Sequence, residues 1–336
     1  MFQRGSTTAQ SGECLSGEGL PCEFVQRQTF SPNSMDSAQT ASLPSRDLTL
    51  TPSKDHEGSD IEILVQEVLS FKKGSCHPAR AFILRATLNE ALVGDTYPRE
   101  LRDSAGAAIC RINQYAGKEI PEMFASIRTG KYSRDDLRHA LAHPLVSEKA
   151  IESFFSQLIS RELFTRSYGE VLHYSERPSH SFGFLSFSPA AIISALNDER
   201  FTSPRSFHDL GCGLGPMMFV VALLTNATVS GTELSSEMCE KARAFASSIN
   251  RADITFHQGD VLDHSQEYPP ADVYYTYSPF IWKGEEMNTF VQRVEASAQI
   301  NKAKVWVGDY KNLLETFAEQ TSLTALRSYG RLSIYG

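Results

Sequence analysis

The chain lacks any run approaching the roughly 18 consecutive apolar residues of a membrane-spanning helix, so no membrane partner is expected. Basic charge is also scarce: 32 Lys and Arg face 40 Asp and Glu, for a formal net charge of −8. Domains whose main task is gripping nucleic-acid backbone carry a basic excess. That class is disfavoured, with room left for a small basic groove. Cys14, Cys22, Cys76, Cys110, Cys212 and Cys239 form no Cys-x-x-Cys pair and no Cys/His set at zinc spacing, so no metal site is expected. The opening MFQRGSTTAQSGECLSGEGL has no apolar core of signal-peptide length. A reducing, cytoplasmic setting is the expectation. What remains is ordinary globular composition, 41% hydrophobic and 21% charged over 336 residues, enough for two or three domains.

Three textures divide the chain. Residues 1–58 are rich in Ser, Thr, Gln, Gly and Pro without hydrophobic periodicity. Such a stretch buries too little apolar surface to offset its ordering entropy. It reads as a disordered tail, with a docking or targeting segment as the alternative. From 59 to 165 the period becomes helical. Ile61, Leu64, Val65, Val68 and Leu69 share one face and the run closes at Gly74. Pro78 and Pro98 open further runs ended by Gly94 and near Gly117, the expected placing of proline and glycine. Ser133 with Asp136 resembles a capping box, and Ile151, Phe154, Phe155, Leu158 and Ile159 form the strongest apolar face. This region is expected to be a domain of five or six short helices. Residues 166–199 read as a lid or linker.

Residues 200–336 alternate β-rich runs (SFHDLG, TVSGTEL, ITFHQGDV, DVYYTYS, KVWVGDY) with helix-length segments, the pattern of βαβ units on a parallel sheet. The end differs. Two strand-like runs separated only by Tyr329-Gly330 must form an antiparallel hairpin, since so short a link cannot cross over. The first strand runs into Asp209-Leu210-Gly211-Cys212-Gly213-Leu214-Gly215, and Pro216 opens the next helix. Glycines there let the backbone turn tightly and approach a ligand facing the helix N-terminus. A tight turn in some α/β protein is the bland reading. However, Glu233 ends the second strand, where an acid can accept hydrogen bonds from both hydroxyls of a ribose, and Asp260 follows the third.

Glycine loop, second-strand acid and third-strand acid in this order resemble a class I S-adenosylmethionine-dependent methyltransferase over residues 200–336. The resemblance implies a Rossmann-like, seven-stranded α/β sheet of order 3-2-1-4-5-7-6, with strand seven antiparallel and S-adenosylmethionine as cofactor. It implies that Asp209, Gly211, Gly213 and Gly215 flank the methionine part, that Glu233 takes the ribose, and that Asp260 with Val261 frames the adenine. Cys212 then reads as packing under the loop and His208 as a strand residue. A narrower likeness lies in Tyr168-Gly169-Glu170 and in the fourth-strand run Asp272-Val273-Tyr274-Tyr275-Thr276-Tyr277-Ser278-Pro279-Phe280. These resemble segments of the non-SET histone-lysine methyltransferases and their bacterial relatives. In that group the first segment closes over the cofactor, which implies that Tyr168 binds it and that the Glu170 carboxylate faces it.

The reacting end of such a sheet lies beyond the carboxyl ends of strands one and four. Ser278-Pro279-Phe280 has the shape of the motif with which amino-methylating enzymes hold a planar nitrogen. A serine offers one hydroxyl where an amide or carboxylate accepts two hydrogen bonds, which weakens a nucleic-acid N-methylation reading. Tyr277, Phe280 and Trp282 read equally as a pocket wall or as the end of the sheet core. His173 and His180 read as surface histidines or as a general base. Glu170, Tyr277 and Ser278 are the catalytic candidates. The expected activity is methyl transfer, with a protein or small-molecule acceptor favoured over DNA. The competing readings are a nicotinamide-dependent oxidoreductase on a similar sheet and a binding or scaffold protein that has lost catalysis.

Overall fold

Four helix starts in the computed structural model follow a side chain that caps them. The residues described are 58–93, 97–160, 163, 189–198, 203–277, 284–308 and 313–336. The tail expected at 1–58 lies outside them apart from Gly58. Six helices occupy the described part of the first region: α1 Gly58–Leu69, α2 Pro78–Leu92, α3 Arg99–Ala116, α4 Glu119–Arg128, α5 Arg134–Leu141 and α6 Glu148–Leu158. Ser133 Oγ accepts from the Asp136 N–H at 3.2 Å and Ser147 Oγ from the Ala150 N–H at 3.0 Å. Each satisfies a donor that the first turn leaves free.

Three boundaries differ from the sequence expectation. Helix α1 stops at Leu69 and not at Gly74: the Phe71 N–H turns back to the Val68 carbonyl, and Gly74 sits at φ 75° in a separate turn. Pro98 caps α3 from outside. The last part of the segment drawn as lid or linker is a helix, α7 Pro189–Asn197.

The strands are β1 Ser206–Leu210, β2 Thr228–Glu233, β3 Thr255–Gln258, β4 Val273–Thr276, β5 Lys304–Gly308, β6 Ala325–Tyr329 and β7 Leu332–Tyr335. They form one sheet in the order β3-β2-β1-β4-β5-β7-β6. The order is the one implied by the resemblance, and β7 runs antiparallel to both neighbours. The hairpin turn falls one residue later than expected. Tyr329 still pairs with Leu332, so Gly330 and Arg331 make the link, with Gly330 at φ 56°.

Alternation along the strands sends side chains to two cores. Phe207, Val273, Tyr275 and Trp306 join the core on the side of α8 Pro216–Leu224 and α9 Ser236–Ser248. Leu210, Tyr274, Val305 and Val307 join the other, under α10 Glu285–Asn301 and α11 Leu313–Gln320. The first core continues without a break into α1–α7. All nine residues of α8 are buried, because the sheet covers one side and α5 and α7 the other. Polar pins reinforce this seam: Tyr132 Oη donates to the Leu223 carbonyl at 2.8 Å, and Arg134 donates to Asn226 Oδ1 at 2.8 Å.

A shared core predicts shared unfolding. Phe154 is fully buried among Phe82, Phe124 and Phe155, with ring centroids at 5.7, 5.2 and 5.3 Å. Phe154→Ala should cost about 3–5 kcal/mol. Trp306 is buried in β5, so its fluorescence reports the sheet part. The thermal transition should fall equally by fluorescence and by helical ellipticity. A fluorescence midpoint unmoved by Phe154→Ala would show two independent domains.

Candidate functional site

The site grows from the carboxyl end of β1. There Gly211 and Cys212 both donate their N–H groups to the Thr232 carbonyl of β2, at 2.9 and 3.0 Å. The Gly215 N–H closes the turn onto the Cys212 carbonyl at 2.8 Å. Gly211, Gly213 and Gly215 have φ of 81°, 55° and 75°, a region that costs any residue with a Cβ. Packing forbids a side chain at Gly215 as well. An added Cβ would stand 2.8 Å from Phe256 Cε1 and 3.3 Å from Met218 Sδ. The loop ends on Pro216, the first residue of α8, so that helix's N-terminus faces the loop.

Glu233, at the end of β2, holds this loop. Its Oε2 accepts from the Gly213 N–H at 2.9 Å and its Oε1 from the Ser235 N–H at 2.9 Å. Asp209 is only 3% exposed. Burial, and then the charge of Glu233, hold its carboxyl well above the usual carboxylate range. The Gly259 N–H donates to the Glu233 carbonyl at 3.0 Å, which sets the next acid, half-buried Asp260, beside the group. Asp260 Oδ1 accepts from the Leu262 N–H at 2.8 Å, and Val261 is buried next to it. Three carboxyl groups therefore gather at the ends of adjacent strands.

Neighbouring residues with reactive side chains are otherwise occupied. His208 is fully buried, with Nδ1 2.8 Å from Ser230 Oγ and Nε2 3.0 Å from Thr232 Oγ1. Burial pushes its pKa down to about 3, so it stays neutral. Burial and the nearby Asp209 and Glu233 carboxyls raise the Cys212 thiol, which keeps it protonated and a poor nucleophile. Its side chain fills the space over Gly231, where a Cβ would come within 2.8 Å of Cys212 Cβ. Tyr277 follows β4, half-buried, with its ring across Gly308, whose Cβ would stand 2.6 Å from Tyr277 Cδ2.

Tyr168, Glu170, His173, His180, Ser278, Phe280 and Trp282 lie outside the described residues. Sequence reasoning missed Ser235 and Thr232. The signal for Ser235 was present, a serine ahead of a helical run, and its Oγ does accept from the Met238 N–H at 3.3 Å. Thr232 carries no such signal, since its role comes from strand register. Among the described residues no group of three or more His, Cys, Asp or Glu is set to hold a metal ion. No described helix is long and apolar enough to cross a membrane.

Residues 207–312 match the family described as a methyltransferase domain. Similar solved structures include a TehB-like SAM-dependent methyltransferase from Corynebacterium glutamicum, 14% identical, covering 42% of this chain and 85% of that one, with TM-score 0.33. An RNA methyltransferase from Salinibacter ruber in complex with S-adenosyl-L-homocysteine is 19% identical, covering 45% and 91%, with TM-score 0.31. TrmN from Thermus thermophilus is 15% identical, covering 44% and 48%, with TM-score 0.35. No curated protein matches the chain.

S-adenosylmethionine suits these residues. An ionised carboxylate has about four acceptor positions. Glu233 spends two on the backbone N–H groups of Gly213 and Ser235, which fixes its carboxylate at the end of β2, the place of an acid that receives a ribose diol. A cluster of acids also favours a ligand carrying sulfonium and ammonium charges. The sign of the pH dependence follows from Asp209. The free protein retains its proton above the usual carboxylate range, and a cation bound beside Asp209 would expel it. Affinity for S-adenosylmethionine should therefore rise with pH as the free Asp209 titrates, below about pH 7 where the ligand's own amine stays charged. Calorimetry in two buffers of different ionisation enthalpy should detect proton release. Asp209→Asn should abolish it, and proton release unchanged in that variant would reassign the effect.

Proposed function

We infer, from a chain that carries a class I S-adenosylmethionine-dependent methyltransferase domain, that it methylates a protein or small-molecule acceptor beyond the ends of β1 and β4. The observation that carries this reading is the Glu233 carboxylate. It stands at the end of β2 and ties the glycine loop to the start of α9, accepting from the Gly213 and Ser235 N–H groups. The net charge of −8 and the three acids of the cradle supply little attraction for a polyanion, which favours these acceptors over DNA.

When bound, S-adenosylmethionine supplies a methyl carbon activated by a sulfonium, open to in-line displacement. The chain's share is placement and exclusion of water. Asp209 and the loop at Gly211, Gly213 and Gly215 receive the methionine part. Glu233 takes the ribose hydroxyls, Asp260 accepts from the adenine amino group, and Val261 packs on the base. Tyr277 walls the acceptor side, its ring seated against Gly308. In the same reading Tyr168 contacts the cofactor, Glu170 orients its ammonium, and Ser278 offers a hydroxyl to the acceptor. The helices α1–α7 share their core with α8, which suits a fixed wall beside the cofactor domain more than a hinged gate.

Calorimetry with S-adenosylmethionine, S-adenosylhomocysteine and NAD tests the cofactor. The first two should bind, and binding of NAD alone would overturn the assignment. Labelled methyl groups should pass from S-adenosylmethionine into a protein or small-molecule fraction of lysate. Label confined to nucleic acid would overturn the acceptor class. Tight cofactor binding with no transfer to any fraction would make the chain a binding protein. Glu233→Ala should weaken S-adenosylmethionine and S-adenosylhomocysteine equally, by about 1.5–3 kcal/mol, since both carry the ribose. It should also lower the melting temperature of the free protein, because the Gly213 and Ser235 N–H groups lose their acceptor.

A further inference from the structure

The segment after β3 is shaped partly by its own residues and partly from outside it. Residues 259–270 form turns without a helix or strand. Local bonds exist, such as the Asp263 N–H to the Asp260 carbonyl at 3.0 Å and the Ser265 N–H to Asp263 Oδ1 at 2.9 Å. The longer reach comes from α10. Arg293 Nη1 donates to the Val261 carbonyl at 2.8 Å, and its Nη2 donates to the Gln266 carbonyl. One planar guanidinium thus spans both ends of the turn. The same group lies 4.1 Å over the ring centroid of Tyr268. The Tyr268 hydroxyl donates to the Val261 carbonyl as well, at 2.6 Å. Val261 O therefore receives two donors, one of them charged, and hydrogen bonds to charged groups are the stronger kind.

We propose that Arg293 is a positioning residue for the adenine end of the cofactor site, setting base selectivity by holding the Val261 and Gln266 carbonyls. This rests on the assignment of Asp260 and Val261 to the adenine. The Val261 carbonyl shares one peptide plane with the Leu262 N–H, which donates to Asp260 Oδ1 at 2.8 Å, so fixing that carbonyl fixes the aim of the Asp260 carboxylate. A carboxylate accepts from the 6-amino group of adenine and meets only an acceptor where hypoxanthine has its 6-oxo group. A loosened turn lets the carboxylate swing aside, so the penalty against the oxo base falls even where overall affinity survives. Lysine carries the charge but lacks the rigid planar fork, so it holds the two carbonyls less firmly in one geometry.

The test is calorimetric affinity for S-adenosylhomocysteine and for S-inosylhomocysteine, in the full chain and in the variants Arg293→Ala, Arg293→Lys and Asp260→Ala. The natural chain should prefer the adenine ligand at least tenfold. Arg293→Ala should reduce that ratio at least fivefold, and Arg293→Lys should give an intermediate ratio at near-natural melting temperature. Should Arg293→Ala fail to fold, the Arg293→Lys ratio decides alone. An unchanged ratio in the Arg293 variants, with Asp260→Ala still collapsing it, overturns the role of Arg293 and leaves the adenine assignment standing. A ratio unmoved by Asp260→Ala removes the adenine assignment, and the role of Arg293 with it. Equal weakening of both ligands by the Arg293 variants marks a purely structural residue and also overturns the proposal.

Discussion

Helix α8 has no solvent face, and much of the molecule is arranged to cover it. A helix apolar all round has to be packed all round. The sheet lies against one side, with Phe219 and Phe256 ring centroids 6.2 Å apart, and α5 and α7 close the other. Its first residue, Pro216, directly follows the glycine loop. The position of that loop is thus set by packing, before any ligand contact is considered. Even Gly215 answers to this seam, since a side chain there would strike Phe256. The six helices at the front of the described chain are consequently part of what locates the site. Without α5 and α7, α8 would expose an apolar surface.

A second constraint is electrostatic. Burying a carboxylate is costly unless hydrogen bonds replace its water. Glu233 receives two such bonds from backbone N–H groups on either side of it, one from the loop and one from the start of α9. The charge so stabilised disfavours ionisation of Asp209, which is buried alongside. The free site therefore holds unfavourable electrostatics that a cation relieves on entering. Fold and ligand preference meet in that pair of acids: the bonds that keep the loop closed also keep the charge that a sulfonium and an ammonium would meet.

Period and punctuation made the α/β half legible from sequence. The strands alternate visibly with helix-length runs, and the terminal hairpin followed from a link too short to cross over. Its turn fell one residue later because Tyr329 keeps its place in the ladder opposite Leu332. Helix α7 escaped notice for a physical reason. PAAIISALN has no charged face, as suits a helix packed between α6 and α8, so no amphipathic period betrays it. The glycine turn was readable because its geometry is local backbone chemistry, whereas the bonds from the Gly213 and Ser235 N–H groups to Glu233 were not. Thr232 was not, because its carbonyl meets Gly211 and Cys212 only through the register that places Leu210 beside it. The aromatic and acidic candidates at 168–170 and 278–282 fall outside the described residues, so the legibility of the reacting end is that of Tyr277 alone.

The two ends of the cradle are built on different principles. The glycine-loop end is closed by contacts among residues 209–235, with bonds from one strand end to the next. The segment after β3 leans instead on distant residues. Tyr274 Oη donates to the Pro269 carbonyl at 3.0 Å and is itself held by Asn301 Nδ2 at 2.9 Å, while Tyr268 is covered by Arg293. Both supports come from Tyr274 of β4, which faces the second core, and from α10. The two cores therefore each govern one end of the same site. The first sets the loop through α8. The second sets the turn after β3 through α10. A ligand lying across both ends would touch segments governed by packing on opposite faces of the sheet, and its two halves would feel substitutions in different layers of the protein.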